Sequence, residues 1–218
     1  MVFLSQLHIN RHHALAQRDL GDRHELHRTV LSAFPKQISA DERVLFRLEI
    51  DRRRPCAIVL IQSQTLPNWG TSRRPNEPGY LLQPPETRAI QPQIKDGMCL
   101  LFRLQSNPTV KWDGKRHAIF DDDRLIEWLR RKGEAHGFAV DPRHVRIVKP
   151  GKAYGKRGRQ TWHVVQFDGL LEVVGAEAFA SALRDGIGSA KAFGCGLLSV
   201  PYPLAETVAE AYSPRAWG

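Results

Sequence analysis

Between Met98 and Val200 the chain runs strand, helix, strand, strand, helix, strand, an order that few folds accept. Residues 98–105 (MCLLFRLQ) are extended, and residues 122–132 carry Leu125, Ile126, Trp128 and Leu129 at helical spacing. Strand-like runs near 145–149 and 162–174 flank a basic, glycine-rich connection. A helix over 176–185 and a short strand over 197–200 complete a ferredoxin-like β-α-β-β-α-β unit.

The first half repeats part of that order without repeating its sequence. Residues 2–9 alternate as a strand does, and 10–22 read as a polar stretch without an element. Asp22 followed by Glu25 resembles a capping box with Asp in the place of Ser or Thr. Leu26, Val30, Ala33 and Phe34 then recur at helical spacing, and Pro35 ends a helix predicted over 23–34. Runs 44–50 and 57–62 are strands joined by DRRRPC. Residues 66–93, rich in Pro, Gly, Asn and Gln, read as loops with one extended piece near 79–83. The expected architecture is α+β: two tandem ferredoxin-like domains, residues 1–94 and 95–218.

Charge narrows the partners. The 32 lysines and arginines exceed the 23 acids, giving a net +9 that favours nucleic acid, a membrane surface or an acidic protein. The three cysteines, Cys56, Cys99 and Cys195, are far apart, so neither a disulfide framework nor a zinc ribbon is expected. They fit a reducing cytoplasm. No signal-peptide pattern opens the chain and no apolar run is long enough to span a bilayer, so a soluble cytoplasmic protein with no membrane partner is expected.

Three stretches carry chemistry. GIGSAKAFGCG holds Gly186, Gly188, Gly194 and Gly196 with Lys191 and no acid. It follows a helix and lacks the G-x-x-x-x-G-K-[ST] ending, which disfavours a nucleotide-phosphate loop. A helix C-cap with a tight linker and a close-packed or anion-facing backbone remain equally open. KPGKAYGKRGR places Lys149, Lys152, Lys156, Arg157 and Arg159 within eleven residues, again with no acid, around Tyr154. It reads as a long hairpin loop. Phosphate contact is favoured over a merely solvated charge run. His24 and His27 share a face near the start of the first helix, where the helix dipole opposes protonation and a neutral imidazole can act as a base. A surface pair without a role and a metal site drawing on His8, His12 or His13 are the rivals. No HExxH or Cys/His spacing supports metal, so neither a metal nor a cofactor is expected.

Taken in order, these stretches resemble the CasE family of CRISPR-associated endoribonucleases. The run from Gly186 to Ser199 is similar to the family's C-terminal glycine-rich signature. Arg18-Asp19-Leu20, His27 and Phe34-Pro35 resemble its N-terminal one, and Phe102-Arg103-Leu104-Gln105-Ser106-Asn107-Pro108 a third stretch. The resemblance implies two RRM-like ferredoxin domains and metal-independent cleavage of repeat RNA at the base of its stem-loop. The ribose 2′-hydroxyl would attack, leaving a 2′,3′-cyclic phosphate (or 3′-phosphate) and a 5′-hydroxyl. It implies repeat stem-loop RNA and the other Cascade subunits as partners. His27 aligns with the family's catalytic histidine, and His24 stands where some relatives carry a tyrosine that assists. Arg28, Lys149, Lys152, Lys156, Arg157, Arg159 and Lys191 are the expected RNA contacts. A repeat-RNA scaffold subunit that does not cut is the alternative. Trp69, Trp112 and Trp162 could stack on bases, but buried tryptophan is the default expectation.

Overall fold

The computed structural model describes residues 1–36, 42–51 and 53–201. In the first half, β1 (Val2–Asn10), β2 (Leu45–Ile50), β3 (Cys56–Ser63) and β4 (Glu86–Ile90) form one sheet in the order β2-β3-β1-β4, every neighbour antiparallel. Helices α1 (Ala14–Gly21) and α2 (Arg23–Leu31) lie between β1 and β2. The core gathers Leu7 and Ile9 of β1, Leu26 and Val30 of α2, Phe46 of β2, and Val59 and Ile61 of β3. A single 3-10 turn, Trp69–Thr71, stands where the second helix of a complete unit would be.

In the second half, β5 (Cys99–Ser106), β8 (Phe138–Gly155), β9 (Gln160–Val173) and β10 (Leu198–Ser199) form a sheet in the order β10-β5-β9-β8. A two-stranded hairpin, β6 (Thr109–Trp112) and β7 (Lys115–Ala118), precedes helix α3 (Asp122–Ala135), and α4 (Ala176–Asp185) follows β9. In both sheets the first strand sits between the third and the fourth, and the second lies at the edge. The two halves therefore share the ferredoxin-like topology that element order predicted.

Four expectations need correction. The stretch 10–22 contains α1. Its inward positions are Ala16 and Asp19, and the Asp19 carboxylate accepts hydrogen bonds from Thr29 Oγ1 (2.7 Å) and the Tyr80 hydroxyl (2.9 Å). A helix held by a buried polar group leaves no apolar stripe to read. Helix α2 ends at Leu31 rather than Phe34, because i→i+3 bonds from Ala33 to Val30 and from Phe34 to Leu31 tighten the chain ahead of Pro35. The extended piece at 79–83 is a lone bridge between Leu81 and Ile9, and the paired strand is β4. The basic connection is mostly strand: β8 and β9 stay paired to Gly155 and Gln160, with register shifts between Val140 and Val145 and between Val148 and Gly151. Those shifts fall at Pro142 and Pro150, which have no N–H to give to a ladder.

Polar groups join the halves. Arg47 of β2 is buried and donates to Glu49 (2.8 Å) and to Ser199 of β10 (2.7 Å). Arg103 of β5 pairs with Asp168 (2.7 Å) and with Glu49 (3.4 Å). Burying Arg47 without these partners would cost several kcal/mol, of order 3–5. Among the described residues, no helix is long and apolar enough to cross a membrane.

Candidate functional site

Asp22 starts the site. It caps α2 by accepting the His24 N–H (2.9 Å). Glu25 does not reach back to complete the expected capping box. It pairs with Arg18 (2.6 Å) and Arg28 (3.3 Å) instead. The remaining capacity of Asp22 is taken from the other half of the molecule. The N–H groups of Lys156 (3.2 Å) and Arg157 (2.8 Å), at the tip of the β8–β9 hairpin, both donate to its carboxylate. Partial burial raises its pKa, but the backbone donors Arg157, His24, Glu25 and Lys156 outweigh that and leave it below the usual value of 3.8. Lys156 and Arg157 both adopt left-handed backbone, with φ of 48° and 55°. That conformation costs a non-glycine residue about 1–2 kcal/mol, and the Asp22 carboxylate helps to offset it.

His27 lies one turn beyond Arg23 on α2. Its ring stacks on Phe46 of β2 (6.3 Å between centroids) and meets Phe193 of the glycine-rich stretch (6.2 Å). Phe193 in turn stacks on Trp162 of β9 at 4.1 Å. Trp162 is half-buried and committed to this wall. Nδ1 of His27 is buried with no partner among the described residues, which leaves Nε2 as the nitrogen that can meet a substrate. Burial first, and the neighbouring His24 second, hold His27 below the ordinary 6.5. Both effects favour the neutral imidazole, the form that can take a proton.

The glycine-rich stretch answers to both open readings: Gly186 is the C-cap of α4, its N–H donating to Ala182 O (2.9 Å), and the backbone beyond it is close-packed. A Cβ on Gly194 (φ 81°) would lie 2.9 Å from the Phe46 ring and 3.0 Å from the Arg23 guanidinium. One on Gly186 (φ 72°) would press on Gly196 O and Leu45. Only glycine lets this backbone pass against α2 and β2. Gly188 fits in the same way against Ser106 and Trp128, and Gly196 against Ile187.

The expected cations are not gathered in one place. Arg28 is on the exposed side of α2, beside Glu25. Lys152, Lys156, Arg157 and Arg159 are exposed along the hairpin and its tip. Lys149 is tied back to Asp122 and to the carbonyl of Phe120. Lys191 is half-buried. Burial lowers its pKa, Asp185 opposes that, and Arg43 and Lys132 add to it. Of the other tryptophans, Trp69 is buried and Trp112 is 74% exposed. Among the described residues, no three His, Cys, Asp or Glu side chains converge as a metal group would need.

Besides the aromatic wall around His27, two parts of the site were not foreseen from the sequence. One is the backbone grip of Asp22, which no sequence signal announces. The other is Arg23, whose burial depresses its pKa while Cys195 alone opposes, and whose Nη1 has no partner among the described residues. A cation in the first turn of a helix opposes the dipole and was a usable signal. Arg23 lines a cleft of about 700 Å³ together with Arg11, Arg103 and Lys152. A second cleft, of about 620 Å³, opens beside Asp22 between Arg18, Glu25, Tyr154 and Arg157.

Comparison with known proteins places this geometry. The family described as "CRISPR associated protein" matches residues 2–201. The chain is 34% identical over 217 residues to the CRISPR-associated endoribonuclease Cse3 of Thermus thermophilus, covering 91% of this chain and 99% of that one. It is 28% identical over 192 residues to the CRISPR system Cascade subunit CasE of Escherichia coli, covering 82% and 92%. The structure of Thermus thermophilus Cse3 bound to an RNA representing a pre-cleavage complex superposes with a TM-score of 0.81 at 35% identity, covering 92% of this chain and 98% of the other.

Proposed function

The chain belongs to the CasE family of CRISPR associated proteins, and from that premise we propose that it is an endoribonuclease cutting CRISPR repeat RNA at the base of its stem-loop. The observation that carries the reading is His27: an imidazole on α2 whose burial favours the neutral form and whose Nδ1 has no partner among the described residues, beside the anchored tip of a basic hairpin. That tip supplies what a stem recognises poorly by base edges and well by phosphate contact.

The reaction follows from the substrate's own geometry. A ribose 2′-hydroxyl already sits beside its 3′-phosphate, so proximity is built in. His27 Nε2 takes the 2′-hydroxyl proton, the 2′-oxygen bonds to phosphorus, and the bond from phosphorus to the 5′-oxygen breaks. The leaving 5′-oxygen collects a proton, giving a 2′,3′-cyclic phosphate and a 5′-hydroxyl. No metal enters these steps. His24, one turn back, positions the 2′-hydroxyl or shares in proton transfer. Arg28, Lys152, Lys156, Arg157 and Arg159 hold phosphates and stabilise charge on the phosphorane. Lys149 and Lys191 complete the proposed set of cations that meet the RNA. The catalytic histidine belongs to a domain of residues 1–94, the basic hairpin and the glycine-rich stretch to one of 95–218. The compartment proposed is the cytoplasm, where Cys56, Cys99 and Cys195 stay as thiols. The relative named as a Cascade subunit supports retention of the cut RNA within that assembly.

The test is cleavage of an end-labelled repeat stem-loop RNA in excess EDTA. Wild type cuts, His27→Ala binds without cutting, and a 2′-deoxy substitution at the cut site stops cutting by wild type while leaving binding. Binding without cutting by wild type would instead leave a scaffold subunit.

A further inference from the structure

The β6–β7 hairpin is an insertion in the second ferredoxin-like unit, between β5 and α3. Asp113 and Gly114, with φ of 49° and 69°, form its turn, the Asp-Gly pair that a two-residue hairpin favours. Its base is fixed: Val110 packs on the second core, and Ile119 is buried and donates to Pro108 O at 3.1 Å. Among the described residues its outer part is exposed. Trp112 is 74% exposed, with the His117 ring 5.9 Å away. Lys115 pairs across from Trp112 on the same face, and Lys111 and Arg116 pair on the other face, all exposed, against the single carboxylate of Asp113.

Its position matters as much as its composition. Ser106, the last residue of β5, pairs with Val165 of β9. Beyond that pair β9 continues with β8 to Gly155 and Gln160. The two hairpins therefore leave the same end of the same sheet. They are also joined at the base, where Phe120 packs on His163 (4.4 Å) and Lys149 donates to Phe120 O (2.8 Å).

We propose that the β6–β7 hairpin is a second RNA contact, in which Trp112 stacks on an unpaired nucleotide flanking the stem while Lys111, Lys115 and Arg116 meet its phosphates. This rests on the reading of the chain as a repeat-RNA endoribonuclease. An exposed aromatic beside one cation, with two more on the other face of the same narrow hairpin, is a platform for single-stranded nucleic acid, because every base has a π-face and every link a phosphate. A protein partner would ask for a contiguous apolar patch, and the neighbours of Trp112 are charged.

The test compares a repeat stem-loop RNA with and without single-stranded tails, in wild type, Trp112→Ala, Trp112→Phe and Lys111/Lys115/Arg116→Ala. Trp112→Ala is expected to weaken the tailed RNA by about 5- to 100-fold and to leave the blunt stem-loop unchanged. Trp112→Phe should recover most of the loss. The triple variant should lower the slope of log affinity on log salt for the tailed RNA by about 2. Wild-type affinity of Trp112→Ala for tailed RNA overturns the proposal while leaving cleavage by His27 intact. So does an equal loss on blunt and tailed RNA, or a defect confined to joining other protein subunits. Failure of wild type to bind either RNA removes the endoribonuclease reading and this one with it.

Discussion

Replacing Asp22 with Ala removes one carboxylate that serves two structures. It accepts the N–H of His24 at the start of α2 and those of Lys156 and Arg157 at the hairpin tip. Loss of an N-cap costs about 1 kcal/mol, within a range of about 0.5–2. The two tip bonds would each contribute about 0.5–1.5 kcal/mol, and the lower end applies because water reaches both exposed donors. The sum is about 2 kcal/mol, or roughly 5 °C in Tm for a chain of this size. Asp22→Asn keeps a capping oxygen for His24 but offers one acceptor instead of two, so it should fall about midway. The linkage is also signed. A carboxylate held below its unfolded pKa stabilises the fold above about pH 4, and the contribution is lost as pH falls through the folded value. Urea unfolding at neutral pH and again below pH 4 should therefore separate wild type from Asp22→Ala strongly in the first case and weakly in the second. RNA affinity should fall together with stability, since the tip that carries Lys156 and Arg157 is released. A variant that loses stability and keeps its RNA affinity would refute the claim that Asp22 places the hairpin. One that loses neither would refute the bonds themselves.

Other outcomes follow from the same site. The acidic limb of kcat/KM, which reports the free enzyme, should rise with pH to a midpoint below 6.5, because His27 acts deprotonated and its pKa is depressed by burial and by His24; a midpoint at or above 7 would count against it as the base. Gly194→Ala adds left-handed strain of about 1–2 kcal/mol to a clash with Phe46 and Arg23 worth about 1–3, whereas Gly114→Ala, equally left-handed but with open space around it, should cost the strain alone; equal losses in urea unfolding would mean the packing is slack. Changing Lys156, Arg157 and Arg159 together to Ala should lower the salt slope of RNA binding by about 2 to 3; an unchanged slope would make the hairpin a solvated loop.

What could be read from sequence was what burial writes as a period. The alternation of β1, the stripe of α2 and the boundaries of α4 follow from apolar side chains facing a core, and each was legible. Helix α1 was not, because Asp19 is its inward group and a carboxylate reads as surface. Strand β4 hid for the opposite reason: its residues are mostly exposed or half-buried at a sheet edge, so Glu86 and Arg88 obscured its pairing with β1. The β6–β7 hairpin carried a legible signal in Asp113-Gly114 that the reading passed over. In the candidate site, pattern pointed to His27 and the glycines. The wall of Phe46, Phe193 and Trp162 that encloses His27 was not, since three residues so far apart in sequence meet only once both domains are assembled.

The hold on the hairpin tip is made through main-chain amides alone. Every residue except proline carries such a group, so the anchor accepts any side chain at 156 and 157 that tolerates the left-handed backbone there. Placement and recognition are thereby assigned to different atoms. Side chains at the tip can therefore be exchanged one by one, within what that backbone accepts, while the hairpin keeps its register on α2.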